Sequence, residues 1–183
     1  LGYATPEEVV RDADIAMYRA KAAGKARYAL FDAELHTEVA QRMMIESDLR
    51  QALARGELSV AYQPLFNISN GRLRGFEALA RWHHAERGNI EPGIFIPIAE
   101  EAGLIEAIGL WVLDAALRQQ RLWRDAGLDV GRVAVNVSPH QLRDDGFATR
   151  VFALLATHGL LPTDLEIEIT ESALTENPEA VLR

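Results

Sequence analysis

Strand-like runs alternate with long helical patterns in the second part of the chain, and this alternation constrains the fold most. The strand-like runs cover residues 57–66, 72–82, 132–137 and 164–170, and the helical patterns cover about 105–126 and 147–158. Asn70-Gly71 lies between the first two runs and predicts a β-hairpin. Strands separated by helices of this length form parallel sheets with right-handed crossovers. The sequence therefore predicts an α/β fold whose sheet is either open or closed into a barrel.

The first residues of the chain have a different pattern. Thr5, Pro6 and Glu8 make a capping-box start for a helix that stops at Gly24, and a strand-like stretch follows at residues 27–31. One helix and one strand cannot bury both of their apolar faces alone. We therefore expect these residues to be the end of a domain that continues outside the chain.

A single helix is predicted between these two regions. Residues 32–55 carry a mostly apolar stripe that ends at Gly56. Such a stripe suits a spacer or a dimer-forming helix equally well, and both interpretations stay open. The predicted organisation is thus an N-terminal piece (1–31), a connecting helix (32–55) and an α/β piece (56–183).

Composition and charge exclude several classes of function. The net charge of −8 disfavours duplex nucleic acid as a partner. The chain has no Cys, which removes disulfides and thiolate metal sites and fits a reducing, cytoplasmic compartment. No apolar run approaches the roughly 20 residues that span a bilayer, so we expect no membrane segment in this piece. The chain starts without Met and stops soon after a helix-start signal at Asn177-Pro178, so we expect a longer protein, whose N-terminal region could anchor it to the inner membrane.

Polar residues interrupt three strands that should be continuously aliphatic if they are buried in a parallel sheet. The period of two places each of these sets on one strand face: Glu77, Leu79 and Arg81; Ala134, Asn136 and Ser138; and Glu166, Glu168 and Thr170. Buried carboxylates cost several kcal/mol unless they are compensated, and one divalent cation would compensate Glu77, Asn136 and Glu168 together. An all-oxygen donor set favours Mg²⁺, Mn²⁺ or Ca²⁺.

Each polar residue also has an ordinary structural interpretation. A strand Glu more often faces solvent or forms a salt bridge, and Asn136 more often forms a turn before a helix. Arg81 could neutralise Glu77 across one pleat. His83-His84 could suggest a metal site, but adjacent strand residues face opposite ways and no third His joins them, so we expect a surface loop.

Ordered motifs around residue 77 resemble a known family. They are Tyr62-Gln63-Pro64, Glu77-Ala78-Leu79 with Ala80-Arg81-Trp82, Phe95-Ile96-Pro97-Ile98-Ala99-Glu100 with Gly103-Leu104-Ile105, Asn136-Val137-Ser138, and Glu168-Ile169-Thr170-Glu171-Ser172. Together they are similar to an EAL domain. The N-terminal piece resembles the end of a GGDEF domain, through Ala13-Asp14-Ile15-Ala16-Met17-Tyr18, Ala20-Lys21, Gly24-Lys25 and Arg27-Tyr28.

The EAL resemblance implies a (β/α)₈ TIM-like barrel with one antiparallel strand, of which this chain would hold about half. The last helix and strand of an α+β GGDEF domain would precede it. In the intact protein, the resemblance implies a phosphodiesterase that hydrolyses cyclic di-GMP to pGpG with Mg²⁺ or Mn²⁺, two ions in the complete site, and Ca²⁺ as an inhibitory ion. The family's Asp-Asp pair, Lys and further Glu come from later strands, so we expect this chain alone to be inactive.

The resemblance also implies roles for individual positions of the metal site. Glu77, Asn136 and Glu168 would bind the metal. Glu171 would tether a loop that organises the metal site, and we expect Glu77 and Glu171 to be the residues of this chain on which catalysis depends.

For the substrate, the resemblance implies that Arg81 holds a phosphate and that Gln63 and Leu79 contact the nucleotide. A homodimer is expected. The alternative function is an inactive EAL receptor that binds cyclic di-GMP and signals through its helix or dimer interface. The intact Glu77, Asn136, Glu168 and Glu171 favour the enzyme over that receptor and over a scaffold without either activity.

Overall fold

The chain forms two compact units, Leu1–Asp48 and Leu49–Arg183. The computed structural model describes residues 5–22, 28 and 33–169 of these units. None of the described helices is long and apolar enough to cross a membrane.

The first unit contains helix α1 (Pro6–Ala22), and helix α2 (Ala33–Ala52) spans the boundary between the units. At the start of α1 the Glu8 amide donates to the Thr5 hydroxyl, and the Thr5 amide donates to the Glu8 carboxylate. This reciprocal pair confirms the predicted capping box. The strand predicted at 27–31 lies outside the described residues except for Tyr28.

The second unit is built on a mixed sheet. Its elements are β1 (Leu58–Phe66), β2 (Leu73–His84), β3 (Gly88–Ile90), α3 (Pro92–Glu101), α4 (Ile105–Asp125), β4 (Arg132–Val137), α5 (Pro139–Leu142), α6 (Phe147–Thr157) and β5 (Leu165–Ile169). The strand order is β1-β2-β4-β5, and β3 pairs with the far end of β2. β1 is antiparallel to β2, whereas β2, β4 and β5 run parallel. The predicted hairpin and the predicted parallel sheet are both confirmed.

The core lies on one face of this sheet. Trp82, Val133 and Val135 are almost fully buried there, and helix α4 contributes Leu113 and Leu117. Helix α4 packs against β1, β2 and β4, so it covers the aliphatic face of the sheet. The polar residues of the same strands alternate with the buried ones and therefore lie on the opposite face.

The surface loop expected at His83-His84 is wrong. His83 and His84 do not form a surface loop, because they are the last residues of β2 and pair with β3. His84 is buried and its Nδ1 accepts hydrogen bonds from the Glu86 and Arg87 amides. β2 extends this far because β3 supplies a pairing partner that the sequence pattern did not reveal.

Candidate functional site

Strand register brings the predicted metal ligands to one face of the sheet. Asn136 and Glu168 are directly opposite each other on β4 and β5. Glu77 is opposite Ala134, the residue two positions before Asn136 on β4. The parallel pairing of β2 with β4 ends at Ala78, so Glu77 lies near the carboxyl end of the parallel part of β2. All three polar side chains thus lie where parallel sheets place their sites.

Asn136 and Glu77 contact each other directly. The Asn136 Nδ2 donates a hydrogen bond to Oε1 of Glu77 over 2.6 Å. With its nitrogen used in this way, the amide keeps its carbonyl oxygen available as a ligand.

The negative charge of the Glu168 carboxylate is not balanced by a direct partner in the described part of the chain. Among the described residues it has no hydrogen-bond or ion-pair partner. Burial raises its pKa above the ordinary value, repulsion from Glu77 and Glu166 raises the pKa further, and Arg74 partly offsets this. Arg74, which gives this partial offset, is itself paired with Glu166.

A third carboxylate, Glu166, is already neutralised. The Arg74 guanidinium donates to both of its carboxylate oxygens, and Arg132 lies 3.6 Å from Oε2. Arg74 is the extra residue where the β1 and β2 register shifts, since Leu65 pairs with Gly75 and Phe66 with Leu73. Sequence reasoning missed this ion-pair cluster, because the position of a bulge is not visible in the strand pattern.

The donor chemistry of the site fits a hard divalent cation. Glu77 and Glu168 supply carboxylates and Asn136 supplies an amide oxygen, which is the ligand set that Mg²⁺ and Mn²⁺ prefer. Within the described part of the chain no three His, Cys, Asp or Glu side chains form a metal-binding group.

The predicted substrate residues lie beside these ligands. Gln63 is exposed and directly opposite Glu77 in the antiparallel hairpin, so both side chains are on the same face. Arg81 is exposed and donates from Nη1 to the Ala80 carbonyl oxygen over 2.9 Å. Arg81 forms no ion pair with Glu77 in the described part of the chain, so its guanidinium remains available for an anion. Leu79 lies between Glu77 and Arg81 along β2 and is half-buried.

A cavity of about 380 Å³ opens next to Leu79 and Arg81. It lies among α3, α4, α5, the middle of β2 and the carboxyl end of β4, and Asn136 is one of its lining residues. Its volume is within the range of roughly 300–1,000 Å³ found for small-molecule sites. Pro97 and Val112 are among its mainly apolar wall residues.

Two polar residues of this cavity were not given a role by sequence reasoning. The Ser138 hydroxyl donates to Glu100 Oε1 over 2.6 Å, which joins the end of β4 to α3. Ser138 also caps α5, and Oε1 of Gln141 accepts from the Ser138 amide. Ser138 and Gln141 form a capping box, and the Ser-Pro-His-Gln sequence of this box is the signal that could have led to Gln141. Glu171 and Thr170 lie outside the described residues.

The family model for the EAL domain matches residues 46–183. The chain belongs to the EAL domain family. It is 46% identical over 178 residues to a signalling protein of Caulobacter vibrioides, and 42% identical over 178 residues to the bifunctional diguanylate cyclase/cyclic di-GMP phosphodiesterase MucR of Pseudomonas aeruginosa. Each alignment covers 97% of this chain, but 22% and 26% of the two relatives. The chain thus spans about a quarter of the length of these relatives.

A solved EAL structure has the same fold. The PaMucR phosphodiesterase in complex with c-di-GMP matches with a TM-score of 0.72 and 45% sequence identity, over 76% of this chain and 56% of that one. The mixed α/β sheet described above is therefore the EAL domain fold, as the motifs predicted.

Proposed function

We propose that the intact protein is a metal-dependent cyclic di-GMP phosphodiesterase and that this chain supplies the first half of its active site. The reaction would add water across one phosphodiester bond of cyclic di-GMP and release linear pGpG. The observation that carries the proposal is the convergence of Glu77, Asn136 and Glu168 from three neighbouring parallel strands. MucR, at 42% identity, is named as a phosphodiesterase for this substrate.

In this proposal Glu77, Asn136 and Glu168 hold Mg²⁺ or Mn²⁺, with a second ion in the complete site and Ca²⁺ as an inhibitor. The bound ions would supply positive charge for the phosphodiester oxygens and lower the pKa of water. The partly desolvated Glu168, whose carboxylate has no direct hydrogen-bond or ion-pair partner among the described residues, supports this. Glu171 would tether a loop beside the site.

The substrate would lie across the polar face of the sheet. Arg81 would hold a phosphate, since its guanidinium is exposed and can bind two phosphate oxygens at once. Gln63 and Leu79 would contact the nucleotide, and the cavity beside Leu79 would accept one guanine base between its apolar walls.

We also propose the wider organisation of the protein: the end of a GGDEF domain at 1–31, a connecting helix at 32–55, and an EAL domain from 56 that closes into a (β/α)₈ barrel and forms a homodimer. The alignment with MucR supports the first part, because it extends beyond residues 46–183 and MucR is named as a diguanylate cyclase as well.

The test is hydrolysis of cyclic di-GMP by the full-length protein, with Mg²⁺, Mn²⁺ and Ca²⁺ compared and pGpG followed over time. Turnover with Mg²⁺ or Mn²⁺ and inhibition by Ca²⁺ are expected. Tight binding of cyclic di-GMP without turnover would instead identify an EAL receptor. Neither binding nor turnover would refute both functions.

A further inference from the structure

Strand register places a second carboxylate of β5 next to the proposed metal ligands. Glu77 is opposite Ala134 on β4, and Ala134 is opposite Glu166 on β5. Only the methyl side chain of Ala134 therefore lies between the Glu77 and Glu166 positions in this row of the sheet. Glu168 lies two residues further along β5, on the same face. By register alone, Glu166 is as well placed as Glu168 to bind a cation together with Glu77.

Glu166 differs from Glu168 in having a built-in positive partner. The Arg74 Nη2 donates to both carboxylate oxygens of Glu166, with 2.6 Å to Oε2. Arg132 adds a second positive charge 3.6 Å from the same Oε2. The Glu166 side chain is only 26% exposed, so solvent screens this pairing incompletely. A carboxylate whose two oxygens both accept from a guanidinium has less negative charge to offer a metal ion.

The fold fixes the point from which Arg74 reaches Glu166. A β-carbon on Gly131 would lie 1.9 Å from the Arg74 carbonyl oxygen. A β-carbon on Gly75 would lie 2.1 Å from the Arg132 carbonyl oxygen. The two glycines thus let the backbones of β2 and of the segment that starts β4 approach each other closely. From this point the Arg74 guanidinium reaches across β4 to Glu166 on β5.

We propose that Arg74 is a positioning residue that keeps Glu166 out of the metal site and limits the affinity of that site for a divalent cation. The cation is thereby confined to Glu77, Asn136 and Glu168. This inference rests on the proposed function, because it concerns the same metal site. Arg74 and the cation compete for the negative charge of the polar face, so removal of Arg74 should strengthen cation binding. Removal of a residue that only holds the fold together would weaken it.

The test is calorimetric titration of the full-length protein with Mn²⁺, in which the wild type is compared with Arg74→Gln. The substitution removes a positive charge and the main partner of Glu166, so we expect Mn²⁺ to bind about 3- to 10-fold more tightly. The effect should not be larger, because the Arg74 side chain is half-exposed and solvent screens its charge. Arg74→Lys keeps the charge and should bind Mn²⁺ nearly as the wild type does.

Glu166→Gln tests the same inference independently and should change the Mn²⁺ affinity in the opposite direction. It removes the carboxylate that balances the Arg74 charge, so Mn²⁺ binding should weaken about 3- to 10-fold. The double variant Arg74→Gln/Glu166→Gln removes both charges and should return close to the wild-type affinity. Arg72→Gln, in the exposed hairpin turn, is the matched control for loss of one positive charge and should leave the affinity unchanged.

Thermal melting separates this role from a folding defect. In EDTA, Arg74→Gln should melt below the wild type, because Glu166 loses its main partner. Saturating Mn²⁺ should raise the melting temperature of Arg74→Gln more than that of the wild type, because the variant binds the ion more tightly.

The outcomes distinguish this inference from the proposed function. Unchanged or weaker Mn²⁺ binding in a folded Arg74→Gln variant, or equal affinities in Arg74→Gln and Glu166→Gln, would overturn the role of Arg74 alone. Mn²⁺ binding by the wild-type protein without hydrolysis of cyclic di-GMP would overturn the proposed phosphodiesterase but not the role of Arg74. Absence of Mn²⁺ binding by the wild-type protein would overturn both.

Discussion

Asn136 donates a hydrogen bond from Nδ2 to Oε1 of Glu77 over 2.6 Å, although 59 positions separate them in the sequence. The bond connects adjacent parallel strands on the face opposite the core. It holds two oxygen donors close together before any cation binds. The side chains therefore lose less conformational entropy when the cation binds.

Glu77→Gln should weaken Mn²⁺ binding by at least about 100-fold, because it removes a charged ligand and even second-shell changes commonly cost 10- to 100-fold. Calorimetric titration of the full-length protein with Mn²⁺ measures this directly. Glu86→Gln, in the exposed turn after β2, is the control for loss of one negative charge and should bind as the wild type does. Equal Mn²⁺ affinity in Glu77→Gln and Glu86→Gln would remove Glu77 from the ligand set.

Glu168→Gln should raise the thermal stability of the metal-free protein at neutral pH. The pKa of Glu168 is raised in the folded state, so the ionised carboxylate opposes folding and stability is lost as pH rises from the ordinary pKa through the raised folded-state pKa. The gain should therefore vanish in acid, where the wild-type carboxyl is protonated in both the folded and the unfolded state. Melting curves from pH 3 to pH 8 in EDTA measure it. A gain that is the same at every pH would indicate a packing effect rather than relief of charge repulsion.

Arg81→Ala should raise KM for cyclic di-GMP about tenfold or more while leaving Mn²⁺ affinity close to that of the wild type, because the guanidinium is exposed and has no ion pair with Glu77 in the described chain. Arg81→Lys should recover part of the loss, since it keeps the charge but not the bidentate geometry. Arg72→Ala, in the exposed hairpin turn, is the matched control. A fall in Mn²⁺ affinity as large as the rise in KM would mean that Arg81 supports the metal ligands instead.

Ser138→Ala should lower the free energy of unfolding by about 0.5–2 kcal/mol, the usual cost of losing an N-cap. The loss should be at the upper end, since the same hydroxyl also donates to the half-buried Glu100 carboxylate. Ser138→Thr keeps the hydroxyl and should be close to the wild type, whereas Ser59→Ala tests an exposed strand position. Urea unfolding distinguishes these variants, and equal midpoints for Ser138→Ala and Ser59→Ala would contradict the structural role of this hydroxyl.

Much of the fold could be predicted from periodic patterns. The strand at Arg132–Val137 has Val133, Val135 and Val137 buried on one face and a cap directly after it, so its bounds and its polar face followed from the period of two. The grouping of Glu77, Asn136 and Glu168 also followed, because parallel strands bring their carboxyl ends to one edge.

The remaining features depend on contacts between distant segments. Nothing local predicts that β2 shifts its register and brings Arg74 to Glu166, or that β3 extends β2 as far as His84. The Gln141 amide belongs to a capping box, but its packing against Gly109 becomes evident only once α4 is in place. Such pairings are set by tertiary packing, which sequence spacing does not encode.

Gly75→Ala should be among the most damaging single substitutions near the site. A β-carbon on Gly75 would lie 2.1 Å from the Arg132 carbonyl oxygen, a backbone atom of the neighbouring strand that no side-chain rotation can move away. β2 and β4 would have to separate where they begin to pair, next to the segment that holds Glu77 against Asn136. We expect a loss of about 1–3 kcal/mol in the free energy of unfolding together with weaker Mn²⁺ binding. Gly93→Ala is the matched control, because a β-carbon there has no heavy atom within 4 Å, and alanine in helix α3 should leave stability equal or higher. If Gly75→Ala were as stable as Gly93→Ala and bound Mn²⁺ equally well, close contact between β2 and β4 would not be what positions the metal ligands.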